Sequence, residues 1–204
     1  MKGTHLGYEN WFEENRPAYE SELKALKANI PSHARGLEIG VGSGRFAAPL
    51  GILLGVDPSS RMLDIAHKRG IEVVNGVAEK LPFADSSFDL ALMVTTICFL
   101  DDIESAFREV NRILMPSGSF IIGFIDKNST VGRPYTEKRK KNVFYSLANF
   151  YSVNEVVSLL KISGFDDFFS TQTIFRDMKD IKDIEPVLPG HGKGSFVVVR
   201  AVKR

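Results

Sequence analysis

Glu38 stands two residues ahead of three glycines, Gly40, Gly42 and Gly44, that alternate through the run LEIGVGSGR. Bare backbone at this spacing accepts positive φ and lets a ligand approach the main chain closely. A tight turn without a ligand is the plain alternative, and two further stretches weigh against it. Asp57 closes the next apolar run, in GVDPS, where an acid can accept both hydrogen bonds of a ribose diol. The segment GVAEKLPFADSSFDL begins at Gly76. The backbone of Val77 and Ala78 can read an adenine edge there, with Leu81 against its face. Helix capping explains Asp57 taken alone, and a simple loop explains the third stretch alone.

These groups are useful only if the chain gathers them, and the hydrophobic pattern says how. Short apolar runs at 36–39, 52–56, 71–74, 88–94 and 119–125 read as strands, and segments of helical period separate most of them. Pro17 suits the first turn of a helix over 17–29 with Tyr19, Leu23, Leu26 and Ile30 on one face. Asp101 and Glu104 read as a capping pair for the next clear helix, whose stripe is Ile103, Phe107, Val110 and Leu114. Ser152 and Glu155 form a capping box for a helix ending at Gly164. Runs at 168–175 and 195–202 close the chain as two strands with no helix between them. Alternation of strand and helix means a parallel sheet covered on both faces. The expected fold is therefore α/β, a doubly wound, mostly parallel, Rossmann-like sheet of seven strands with the last strand antiparallel. In such sheets ligands bind at the carboxyl ends of the strands, where the three stretches lie.

In that order the three stretches, with ILMPSGSFII at the turn into the fifth strand, resemble a class I S-adenosylmethionine-dependent methyltransferase of the small-molecule type. The resemblance is carried by residues 35–126. It implies S-adenosyl-L-methionine as cofactor and S-adenosyl-L-homocysteine as product. By this resemblance Glu38 orients the loop and helps hold the amino group of the methionine moiety. Gly40, Gly42 and Gly44 pack under that moiety and the ribose. Asp57 binds the ribose hydroxyls, Pro58 and Met62 flank the adenine, and Thr95 and Thr96 sit near the methionine end. One position departs from the pattern. Val77 stands where many relatives carry an Asp for the adenine amino group, which leaves backbone contacts at Val77 and Ala78, or Glu79, to substitute.

Methyl transfer from a sulfonium needs alignment and exclusion of water more than it needs a catalytic side chain. No residue stands out as a base; His191, in the glycine-rich tip 190–194, is the candidate, and an exposed turn residue is its plain alternative. Substrate contacts are expected from three lids: the first residues with His5, Tyr8, Trp11 and Phe12, an insertion over 127–150 with Arg133, Tyr135, Phe144 and Tyr145, and the tip with His191. Packing alone also explains such aromatics. The whole chain reads as one domain: a helical lid over 1–34, a cofactor core over 35–126, the insertion over 127–150, and a helix with a strand hairpin over 151–204.

Composition narrows the partners. The 204 residues carry a formal net charge of +1, so no global field recruits nucleic acid or an acidic membrane. Cys98 is the only cysteine, which excludes an intramolecular disulfide and a multi-cysteine metal cluster and fits a cytoplasmic protein. No apolar run resembles a signal peptide or a membrane span. The run Thr95-Thr96-Ile97-Cys98 lacks the prolines of base amino-methylases and the Pro-Cys of cytosine C5 methylases. A small molecule is the expected substrate, methylated at N, O or C. Two alternatives stay open: a non-catalytic S-adenosylmethionine-binding partner subunit, and an NAD(P)-dependent oxidoreductase, whose GxGxxG loop this chain misses by one position.

Overall fold

A parallel half-sheet carries the glycine loop, and an antiparallel extension widens it. The computed structural model describes residues 4–31, 35–137 and 148–204. Two helices, α1 (Thr4–Glu14) and α2 (Arg16–Lys27), precede strand β1 (Gly36–Ile39). Then follow α3 (Ala47–Leu50), β2 (Leu54–Asp57), α4 (Ser60–Lys68), β3 (Glu72–Asn75), β4 (Phe88–Val94), α5 (Ile103–Ile113) and β5 (Leu114–Ile125). The chain ends with α6 (Gly132–Glu137), α7 (Val153–Ile162), β6 (Phe165–Thr173), β7 (Leu188–Pro189) and β8 (Phe196–Lys203).

The sheet has eight strands in the order β3-β2-β1-β4-β5-β8-β6-β7. The first five pair in parallel, and β8 inserts antiparallel to both β5 and β6. The expected hairpin and its antiparallel last strand are thus present. The eighth strand is the two-residue β7, which pairs with Thr171 and Gln172 inside the long connection. The order of strand addition turns about between the parallel neighbours β1 and β4, so their carboxyl ends open a crevice side by side.

Period-two alternation divides the core. Leu90, Leu92 and Val94 of β4 face one layer with α1, α2 and α4, while Ala91 and Met93 face the other with α5 and α7. Each helix buries one stripe. On α5 these are Ala106, Phe107, Val110 and Ile113, and on α7 Val153, Val156 and Leu160. The Ser152–Glu155 capping box forms as the sequence indicates.

Several boundaries moved. The cap of α5 is Asp102, whose Oδ1 accepts the amides of Glu104 and Ser105; Asp101 instead donates its amide to Glu79. The chain passes from Ile113 directly into β5, and Pro116-Ser117-Gly118 becomes an irregularity in the strand, with Ser117 at φ +63°. α1 gives little apolar periodicity: Phe12 is its buried anchor, and Glu9 and Glu13 add contacts to Arg45 by charge.

Candidate functional site

β1 delivers the glycine loop to the crevice, and the loop closes on β2 through Gly40 N and Val41 N to Val56 O. Gly40, Gly42 and Gly44 all adopt left-handed backbone, at φ +72°, +52° and +80°. Two of them also have no room for a side chain. A Cβ at Gly44 would lie 2.3 Å from Ile71 Cδ1, and one at Gly40 would lie 2.4 Å from Thr96 Cγ2. Gly42 differs: its bare face looks toward Met62 and the Tyr8 hydroxyl, leaving a cradle above the main chain.

Asp57 ties this loop to β2. Its Oδ2 accepts the amide of Gly42 at 2.9 Å and its Oδ1 accepts that of Ser59 at 2.9 Å. Each oxygen keeps a further lone pair for a donor from outside. Glu38 lies beneath, with 1% of its surface exposed and Oε2 lacking a hydrogen-bond partner among the described residues. Burial pushes its carboxyl well above the usual range, the amide of Ala47 pulls it back, and the charge of Asp57 raises it further. An orphaned carboxylate oxygen at this depth is suited to an incoming cationic donor.

The 76–85 loop forms the next wall. Val77 is 45% exposed and bridges Lys80, while Ala78 and Leu81 are buried. Arg112 and Glu109, which the sequence pattern did not single out, hold this loop from α5. Arg112 donates to Phe83 O, Leu81 O and Asp85, and Glu109 accepts the Leu81 amide. Their spacing on the polar face of a helix gives no signal until the loop lies against it. Glu79 accepts the amides of Asp101 and Asp102 through Oε1, so it braces the turn before α5. Pro58 is exposed beside Asp57, and Met62 is half-buried beside Gly42.

At the end of β4, Thr95 sits at φ +49°, an uncommon conformation for a β-branched residue. It borders a cavity of about 340 Å³ whose walls include Tyr8, Trp11, Phe46, Tyr135, Phe150 and Tyr151. Cys98 also faces it, its thiol pushed up to about 12 by burial, so it is neutral there. Glu22 of α2 contributes a carboxyl to the same cavity. Sequence reading passed over Glu22, although the signal was present: it falls four residues after Ala18 and four before Leu26, on the buried stripe.

α1 roofs both compartments. Glu9 accepts from Arg45 at 2.8 Å and from Arg69 at 2.7 Å, and Arg69 also reaches Ser43 O in the glycine loop. Burial opposes ionisation of Glu9, and the Ser43 side chain together with the guanidiniums of Arg69 and Arg45 outweighs it and holds its carboxyl below the usual range. Burial first, then the charges of Glu38 and Glu9, keep the Tyr8 phenol above its ordinary value.

Of the expected substrate residues, Tyr8, Trp11 and Tyr135 line the cavity. Arg133 turns away, donating from Nε to Asn128 O and bordering a separate groove with Lys127. His191 is exposed at the outer edge beyond β7 and does not line the cavity, so the structure gives no role as a base. Tyr145, with Phe144, lies outside the described residues.

The family described as "Methyltransferase domain" matches residues 37–122. A crystal structure from Thermotoga maritima is 50% identical with a TM-score of 0.95, covering 98% of this chain and 95% of that one. It carries the name "SAM-dependent methyltransferase, possible histamine N-methyltransferase". The chain belongs to the S-adenosylmethionine-dependent methyltransferases. An uncharacterized protein of Methanocaldococcus jannaschii is 46% identical over 196 residues, 96% of this chain and 95% of that protein. A demethylmenaquinone methyltransferase of Chlorobaculum parvum is 34% identical over 170 residues, 70% of each.

This methyltransferase uses S-adenosylmethionine, and the residues present fit it: a bare cradle at Gly42, an orphaned buried carboxylate oxygen at Glu38, and a carboxylate with spare lone pairs at Asp57. The oxidoreductase alternative is set aside with the family. Among the described residues, no helix is long and apolar enough to cross a membrane.

Proposed function

We propose that this methyltransferase methylates a small molecule seated in the aromatic cavity at the end of β4. One observation carries the reading: the cavity and the glycine loop share the residues Tyr8 and Thr95 or their immediate neighbours as a common wall. When bound, S-adenosylmethionine supplies a methyl group on a sulfonium, a centre that reacts by in-line displacement with a neutral leaving group.

The chain's own residues then have the following roles. Glu38 holds the amino group of the methionine moiety. Gly40 and Gly42 let that moiety rest on the backbone, and Thr95 and Thr96 border its methyl end. Asp57 takes the ribose hydroxyls, while Pro58, Met62, Val77 and Ala78 bound the adenine, with Glu79 bracing the loop. Tyr8, Trp11 and Tyr135 surround the substrate and keep water out, so a nucleophile is aligned rather than activated. The acceptor is nitrogen, oxygen or carbon, and the name of the T. maritima relative favours nitrogen. The single cysteine fits work in the cytoplasm.

A titration with S-adenosylmethionine, S-adenosylhomocysteine and NAD tests the cofactor site. Both adenosyl ligands should raise the melting temperature by several degrees at about 100 times Kd. Asp57→Ala should weaken both by roughly tenfold or more, because charge-assisted bonds to the ribose are lost. A shift with NAD alone, or an unchanged affinity in the variant, would sink the assignment. Mass spectrometry of small-molecule products, each heavier by one methyl, then tests the substrate class.

A further inference from the structure

Glu22 is the one carboxylate of α2 that faces inward to the cavity. It has 4% of its surface exposed, and it makes no hydrogen bond or ion pair among the described residues. The groups that feel its charge are phenols: Tyr8 on α1, Tyr19 on α2 itself, and Tyr135 on α6. Among the described residues no Lys, Arg or His lines the cavity.

A lone carboxyl in such a place is costly to fold around. Desolvation of an unpaired buried charge is unfavourable, and an amide or apolar residue of similar size avoids it. Burial pushes this carboxyl up to about 8, and no charge among the described residues brings it back. A purely structural role leaves that cost unreturned. The surroundings name a ligand that returns it. Aromatic faces carry negative potential and attract cations, most strongly where water is excluded. A carboxylate among such faces complements a positively charged group and repels an anion.

We propose that Glu22 is the substrate anchor and that the substrate class is small organic amines bound as cations, held by the Glu22 carboxylate among the cavity's aromatic rings. This rests on the reading of the cavity as the substrate site. The contact is non-covalent, it selects the substrate by charge, and it engages a nitrogen other than the accepting atom, since an ammonium has no lone pair to take the methyl group. At about 340 Å³ the cavity is at the small end of ligand pockets, which limits the amine to one ring or a short chain.

Isothermal titration at about pH 9 tests this, since Glu22 is then ionised and a primary alkylamine is still largely protonated. The probes are benzylamine, 2-phenylethylamine and agmatine, with 2-phenylethanol as neutral isostere and 3-phenylpropionate as anion. Each is titrated with and without saturating S-adenosylhomocysteine. Wild type should prefer at least one amine over the alcohol by roughly tenfold, and it should reject the anion. Glu22→Gln should lose that preference while binding the alcohol and S-adenosylhomocysteine as wild type does. Glu22→Asp, which keeps the charge, should retain part of it. Unchanged S-adenosylhomocysteine binding confirms that the variants are folded. Equal binding of amine and alcohol in wild type, binding of none of the three amines, or a preference that survives Glu22→Gln overturns the proposal. So does a Glu22→Gln variant that weakens S-adenosylmethionine relative to S-adenosylhomocysteine and leaves the amine preference intact, since Glu22 would then face the sulfonium. Failure of S-adenosylhomocysteine to bind wild type is a different result: it overturns the cofactor assignment, while the titrations without it still decide the role of Glu22.

Discussion

At the scale of single residues, two carboxyls of the site, Glu22 and Glu38, are buried. Both are raised by burial, so both hold a proton in the folded protein at pH values where the unfolded chain has lost it. For Glu22 the window runs from the ordinary carboxyl range, 4.5, to about 8. Across that window the folded state binds more protons, so stability falls as pH rises, and it levels off above the folded value. The phenols of Tyr8, Tyr19 and Tyr135 that face Glu22 are all raised and stay neutral there. Glu22→Gln should therefore melt higher than wild type by several degrees above pH 8, with the gap closing toward pH 5. Thermal melts at a series of pH values measure this, and the difference between the two proteins cancels the similar slope from Glu38. A variant that melts lower at every pH would mean that Glu22 has a stabilising partner.

At the scale of elements, α1 is held over the site by charge as well as by packing. Its hold on the glycine loop runs through Glu9 to Arg45 and Arg69 and through Glu13 to Arg45, with side chains of Glu9, Arg45 and Arg69 19–28% exposed. Aromatic contacts add to it, with the Phe12 ring edge-on to Tyr8, Trp11, Tyr19 and Phe46. Partly exposed ion pairs contribute little to global stability, about 1 kcal/mol or less, and salt screens them. Glu9→Gln should accordingly lower the melting temperature by only a few degrees. Its larger effect should be a several-fold faster release of S-adenosylhomocysteine, because the helix bearing Tyr8 is no longer pinned above Gly42. Stopped-flow displacement at two salt concentrations reads this out. Wild type should lose more of its slow release in high salt than the variant does, and equal release rates at both salts would rule out a latch.

At the scale of the molecule, one crevice joins elements far apart in sequence. The glycine-loop side, proposed above for the adenosyl group, is built from β1, β2, α4 and the 76–85 loop. The cavity side is built from α1, α2, the end of β4, α6, Phe150 and Tyr151. Tyr8 belongs to both. Hydrogen exchange should therefore show coupled protection: S-adenosylhomocysteine should slow exchange at Gly42 and Ser43 and also in α1, with no change in α7 on the opposite face. Protection confined to the glycine loop would show that α1 does not close over the ligand.

The sequence by itself determined the local features. Alternating strands and helices, the Ser152–Glu155 box and the glycine loop each depend on residues within about one turn or one strand of each other, where sterics and hydrogen bonding act without help from the rest of the chain. Long-range placement was not legible in the same way. Strand order put β8 between β5 and β6, and that choice follows from which edges remain unpaired once the parallel half is formed. Asp102, rather than Asp101, capped α5, with Glu79, more than 20 residues away in sequence, holding the amides of both and setting where the helix begins. Arg133 and His191 fell away from the cavity while Glu22 entered it, since only packing decides whether a polar side chain on a helix or loop meets water or a cavity wall. A charge on a buried stripe can be read in one dimension, but whether it has a partner is a property of three.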